Sequence, residues 1–260
     1  MGASQHPIPE PLPALVLIHG LGGPLMWQRL EPLLAKHTQV ISVKLPGFGG
    51  EPAPPRTMTA TDHAAYVARK LDELGIEQAH IAGISYGGQI AITFAAQFPQ
   101  RVGKLMLLCS TGFMPDRFLI SNALTWSLIR PIVSHTILRS RSLMCRFGAS
   151  SFYDIASRPT DLCAAFFTQL SQSGAREAWL AAVHEISTGR DQFSRILKSV
   201  SAPTMIFWGE NDITVPPSHA PEFLAAIPGS RLITFPNCAH SIPLEKPHEL
   251  CEEIRRFIST

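Results

Sequence analysis

Ser85 stands in His80-Ile81-Ala82-Gly83-Ile84-Ser85-Tyr86-Gly87-Gly88, where an apolar strand pattern enters Gly-x-Ser-x-Gly and a helical pattern leaves it. A serine on so sharp a strand-to-helix turn exposes its hydroxyl, and glycines at 83 and 87 leave room for the turn to close. The start of the next helix offers free N–H groups and the positive end of its dipole to negative charge developing there. The chemistry implied is nucleophilic attack, for which a hydroxyl needs a base.

Of ten histidines, His240 is the expected base. It lies in Pro236-Asn237-Cys238-Ala239-His240-Ser241, the loop after the last apolar run, at the strand end where ligand chemistry gathers in open parallel sheets. His219 opens a helical pattern, His184 lies in the central helical stretch, and His80 begins the strand that leads to Ser85. A carboxylate must fix the tautomer of the base. Asp212, in Trp208-Gly209-Glu210-Asn211-Asp212, follows another apolar run and fits that role, with Glu210 and Asp116 as alternatives. The oxyanion of a tetrahedral intermediate needs N–H donors. Tyr86, after the nucleophile, and Leu21, in His19-Gly20-Leu21-Gly22-Gly23, are expected to supply them, with His19 ordering that loop. The loop is not a dinucleotide fingerprint, because Leu25 occupies the third glycine position, and no P-loop lysine follows.

Positioning these groups is the work of short apolar runs at Ala14–Ile18, Val40–Leu45, Ala79–Ala82, Lys104–Cys109, Thr204–Trp208 and Arg231–Phe235, bounded by Gly or Pro. They read as buried parallel strands. Helical patterns at about 26–36, 60–75, 86–98, 218–227 and 247–258 alternate with them, giving an α/β doubly wound, mostly parallel sheet. The second follows Thr59-Ala60-Thr61-Asp62, a plausible N-cap region. The alternation breaks at 113–200, an aromatic-rich helical stretch with turns expected near Gly148, Pro159, Gly174 and Gly189. It divides the chain into core (1–112), inserted helical lid (113–200) and core again (201–260). Arg130, Arg139, Arg141 and Arg146 within it read as a solvated face. Trp126, Phe166, Phe167 and Trp179 either meet an apolar substrate or glue the lid to the core.

Composition narrows the function classes. A formal net charge of +2 without a dense Lys/Arg run argues against a nucleic-acid partner. No apolar run reaches membrane-spanning length, and no secretory leader is evident at Met1–His6, so the cytoplasm is the expected compartment. Five widely spaced cysteines, with no Cys/His cluster, read as buried free thiols.

The chain resembles the α/β-hydrolase fold superfamily over nearly its whole length. The pieces that carry the resemblance are His19-Gly20-Leu21-Gly22-Gly23 with Trp27, Leu45-Pro46-Gly47-Phe48-Gly49, Gly83-Ile84-Ser85-Tyr86-Gly87-Gly88, Trp208-Gly209-Glu210-Asn211-Asp212 and Ala239-His240. The order Ser85, Asp212, His240 matches that superfamily. Lys44 departs from it, standing where relatives often carry Asp. Ser85 argues against the dehalogenase and epoxide hydrolase branches, whose nucleophile is an Asp. Carbon–carbon bond hydrolases usually show a Gly-Pro-Gly loop followed by Ser-Asn, which Leu21-Gly22-Gly23-Pro24-Leu25 does not match. The resemblance implies an acyl-enzyme hydrolase of an ester-like small molecule with an apolar acid part, with no cofactor and no metal. C–C bond hydrolysis, acyl transfer and a non-catalytic ligand receptor are the alternatives.

Overall fold

Six of the short apolar runs become six parallel strands in the computed structural model, which describes residues 14–113, 123–188 and 190–260. The Pro-rich lead, Asp116 and the turn expected at Gly189 lie outside the described residues. The strands are β1 (Ala14–Ile18), β2 (Val40–Val43), β3 (Ala79–Ile84), β4 (Val102–Leu108), β5 (Thr204–Gly209) and β6 (Arg231–Phe235), in the order β2-β1-β3-β4-β5-β6. β1, β3 and β5 are buried along their whole length, as continuous apolar runs covered on both faces require. Chain order reverses between β1 and β3, whose ends meet with Ile18 opposite Gly83. That reversal opens a crevice at the carboxyl ends of the strands.

The core helices are α1 (Glu31–Leu34), α2 (Ala60–Glu73), α3 (Tyr86–Gln97), α9 (Ala220–Ala226), α10 (Ile242–Glu245) and α11 (Pro247–Ile258). α2 packs on α3, and α1 on α11. Thr59 caps α2 in a reciprocal box: its hydroxyl accepts from the Asp62 N–H, and the Asp62 carboxylate accepts from the Thr59 N–H at 2.9 Å. The single helix expected over 26–36 is instead a 3-10 turn at Pro24–Trp27 followed by α1. β2 stops at Val43, short of Leu45, whose N–H is taken by the His19 ring.

Between β4 and β5 lie α4 (Ala123–His135), α5 (Arg141–Ala149), α6 (Leu162–Leu170), α7 (Ala175–Thr188) and α8 (Arg190–Leu197). Gly148 lies inside α5, not at a turn. Arg130, Arg139, Arg141 and Arg146 are exposed, as a solvated face requires.

The turn at Ser85 depends on backbone approaching backbone. Ser85 has φ 58° and ψ −124°, a conformation that costs a non-glycine residue about 1–3 kcal/mol. A Cβ at Gly83 would lie 2.2 Å from the Gly87 carbonyl oxygen, and one at Gly87 would lie 2.2 Å from that of Ile18. Gly87→Ala should therefore destabilise the protein by at least about 2 kcal/mol, because only backbone can yield. Calorimetry should show a lowered unfolding midpoint, and an unchanged midpoint would contradict this account.

Candidate active site

β3 delivers Ser85 to the crevice, and hydrogen bonds to its backbone hold it there. Its N–H donates to the Leu108 carbonyl (2.9 Å), and its own carbonyl accepts from Gly88 (2.9 Å) and Thr111 (3.1 Å). β5 and β6 bring the next two groups. His240 Nδ1 donates to Asp212 Oδ2 at 2.7 Å, and both side chains are buried. Asp212 Oδ1 accepts from the N–H groups of Thr214 (2.8 Å) and Val215 (2.9 Å), so both carboxylate oxygens are engaged. A carboxylate held this way fixes the proton of His240 on Nδ1 and leaves Nε2 as a base.

Ser85 and His240 line one cavity together with Leu21 from the loop after β1. Among the described residues no acceptor takes the N–H of Leu21 or Tyr86. The Tyr86 side chain points elsewhere and donates to Glu185 Oε2 in α7 at 2.7 Å. Of the competing residues, Glu210 is exposed and bonded to Thr234, and His184 stacks on Trp126. Neither His219 nor His80 lines the cavity.

His19 orders the first loop. Its Nδ1–H donates to the Gly20 carbonyl (2.8 Å), and its Nε2 accepts from Leu45 N–H (3.2 Å). Burial lowers its pKa from 6.5 to about 4, although the bond to Gly20 opposes this. Burial, with the nearby His19 second, also lowers His63 to about 4. Both histidines fold neutral. The stability this confers is complete above pH 6.5 and is lost as pH falls toward 4, where the unfolded chain binds the protons. Each shift corresponds to roughly 3 kcal/mol, and the two do not add because the rings interact. Urea midpoints should fall between pH 7 and pH 4.5, and less steeply in His63→Gln. Equal slopes in the two proteins would refute the assignment to His63.

The inserted helices complete the cavity wall. Of the four aromatic candidates only Phe166 lines it; Trp126 stacks on His184, and Trp179 meets Phe147 edge-on. Phe147 and Phe152, which the sequence does not single out, line the wall instead. So does Arg158, the one Lys or Arg among the cavity-lining residues, whose guanidinium donates to the Cys145 carbonyl at 3.3 Å. Two further groups escape sequence reasoning. Cys109 Sγ lies within 4.8 Å of the Asp212 carboxylate and the His240 ring, and burial, with the Asp212 charge second, keeps its thiol protonated. Cys145 and Cys163 are joined as a disulfide with Cα atoms 5.3 Å apart, correcting the expectation of free thiols. Their separation in sequence hides the pairing, which arises because α5 packs against α6. Cys109, Cys238 and Cys251 are buried and free as expected.

A family model described as alpha/beta hydrolase fold matches residues 13–247. The chain belongs to the alpha/beta hydrolase fold family. In sequence it is 32% identical over 237 residues to a 2-hydroxy-6-oxononadienedioate/2-hydroxy-6-oxononatrienedioate hydrolase of Pseudomonas putida, covering 87% of this chain and 80% of that protein. A protein of the same description from Cupriavidus pinatubonensis is 30% identical over 236 residues, again covering 87% and 80%. In structure this α/β-hydrolase resembles a meta-cleavage product hydrolase from Pseudomonas fluorescens IP01, with a TM-score of 0.79, 23% identity, and 96% and 91% of the two chains covered. The family match and the two sequence relatives support hydrolase activity, and the structural likeness shows the fold. No helix among the described residues is long and apolar enough to cross a membrane.

Proposed function

We propose that this α/β-hydrolase cleaves a carbon–carbon bond beside a ketone, in a small substrate with an apolar body and a carboxylate. The observation that carries the reading is one cavity in which Ser85 and the His240–Asp212 pair meet an apolar wall bearing Arg158. The Pseudomonas putida and Cupriavidus pinatubonensis relatives are named for substrates that carry a hydroxyl, a ketone and carboxylates but no ester, so hydrolysis there must break a C–C bond. This reading displaces the ester cleavage expected from sequence.

Ser85 Oγ attacks the ketone carbon while His240 Nε2 removes its proton, and the N–H groups of Leu21 and Tyr86 hold the resulting oxyanion. Collapse of the oxyanion breaks the C–C bond. The electron pair stays with the departing carbon, which takes the proton from His240. Water activated by His240 then releases the acid from Ser85. Arg158 holds the carboxylate, a charge-assisted contact. Helices α4–α8 serve as the lid, a role supported by the residues of α5, α6 and the link between them that line the cavity.

The test is a C6-substituted 2-hydroxy-6-oxohexa-2,4-dienoate assayed beside p-nitrophenyl butyrate. The ketone should be preferred in kcat/KM. Arg158→Met should raise KM for it by about 10–100-fold, while the neutral ester is nearly unaffected. Equal loss on both substrates would assign Arg158 a packing role. A specific observation favours ester cleavage as the second reading: Leu21-Gly22-Gly23-Pro24-Leu25 lacks the loop pattern expected of C–C hydrolases. Turnover of the ester alone would establish it.

A further inference from the structure

We propose that Cys145 and Cys163 form a thiol–disulfide exchange site in the cavity wall, taking a small thiol of the glutathione class. The redox state of this site sets how firmly the His240 loop is held. Both cysteines are half-buried and both line the cavity, so a small thiol reaches them by the route that serves substrate. Cys109, Cys238 and Cys251 are buried, which confines exchange to this pair.

What the bond encloses gives it leverage on the site. The ring it closes, residues 145–163, supplies Phe147, Ser151, Phe152 and Leu162 to the cavity. That ring is also hydrogen-bonded to both flanks of His240. The Ser151 carbonyl accepts from Ser241 N–H at 3.0 Å. On the other flank, Glu245 joins the two segments: its Oε2 accepts from Tyr153 N–H at 2.7 Å, and its Oε1 from Ala239 N–H at 3.0 Å. Cutting the disulfide frees the ends of this ring and loosens its grip on the residues before and after His240.

The exchange balances with the thiol as reductant. A thiolate attacks one sulfur of the pair, forming a mixed disulfide and expelling the other cysteine as a thiolate. A second thiolate attacks the outer sulfur of the mixed disulfide, so the small thiol leaves as its own disulfide. Two electrons pass to the protein, and the two cysteine thiolates take up the protons the thiols released. Oxidised glutathione reverses each step.

Two measurements on the intact protein test this, after equilibration at set glutathione ratios. Alkylation under denaturing conditions should count three thiols in the oxidised form and five in the reduced form. The rate at which a fluorophosphonate labels Ser85 should fall at least about tenfold on reduction and recover on reoxidation. The double variant Cys145→Ser/Cys163→Ser should stay at the slow rate at every ratio. Five thiols at every ratio, or equal labelling of the three-thiol and five-thiol forms, would overturn the proposal. The effect on labelling rests on reading His240 as the base of Ser85. If neither form is labelled, that reading fails separately, and limited proteolysis between 146 and 162 decides the redox site. Faster cleavage of the reduced form supports the site, and equal cleavage refutes it.

Discussion

Ser85→Ala should lower kcat by roughly 10⁶-fold on whichever substrate the enzyme prefers, with the fold and substrate affinity retained. The size of the loss follows from what Ser85 does in the proposed route: it forms the covalent bond that divides one difficult hydrolysis into two easier steps. Alanine fits the site, because it removes only Oγ, and the bonds that hold the turn run through the backbone N–H and carbonyl of residue 85. It also tolerates φ 58° no worse than serine does, so the unfolding midpoint should hold. Rapid mixing with p-nitrophenyl butyrate reads the covalent step directly: wild type should release a stoichiometric burst of nitrophenol, and Ser85→Ala none. Residual catalysis from the Leu21 and Tyr86 donors should remain visible above the rate in water. A variant that keeps wild-type turnover in protein free of contaminating hydrolase would remove Ser85 from the mechanism.

The same backbone dependence explains why Ser85 is legible in sequence. The Gly87 carbonyl, four residues on, demands Gly83, and the Ile18 carbonyl at the end of β1 demands Gly87, so the Gly-x-Ser-x-Gly spacing records the turn and its seat on the neighbouring strand. Asp212 and His240 are legible for a second reason: each follows a short apolar run, and the carboxyl ends of parallel strands all lie along one edge of the sheet. The central helices leave no such record. Whether Trp179 or Phe147 lines the cavity depends on how α5 and α7 are rotated where the two rings meet, and neither helix carries an apolar pattern that marks one of them. Arg158 is equally silent. It lies on an irregular link between α5 and α6, beyond the 3-10 turn at Ile155–Ser157, where no periodicity distinguishes a guanidinium facing the cavity from one in solvent. Glu245 shows the limit most clearly: one carboxylate ties the His240 loop to the inserted segment through two backbone N–H groups more than eighty residues apart in sequence.

Asp212→Asn should cost about 10⁴-fold in kcat, and the bonds around the side chain say how. Oδ1 accepts two backbone N–H groups, from Thr214 and Val215, while Oδ2 accepts the Nδ1 proton of His240. Asparagine has one oxygen and one NH2. With its oxygen toward Thr214 and Val215, its NH2 faces His240 and requires Nδ1 to accept. The imidazole proton then moves to Nε2, the nitrogen that must take the proton of Ser85. The opposite orientation points the NH2 at two N–H donors in a buried turn and leaves those backbone groups unsatisfied, so it is the costlier choice. The loss should therefore appear as a tautomer change with the fold intact. Nitrogen NMR of His240 should place the proton on Nδ1 in wild type and on Nε2 in the variant. A variant with the wild-type tautomer and a less than tenfold loss of kcat would show that Asp212 anchors its own loop without directing the base.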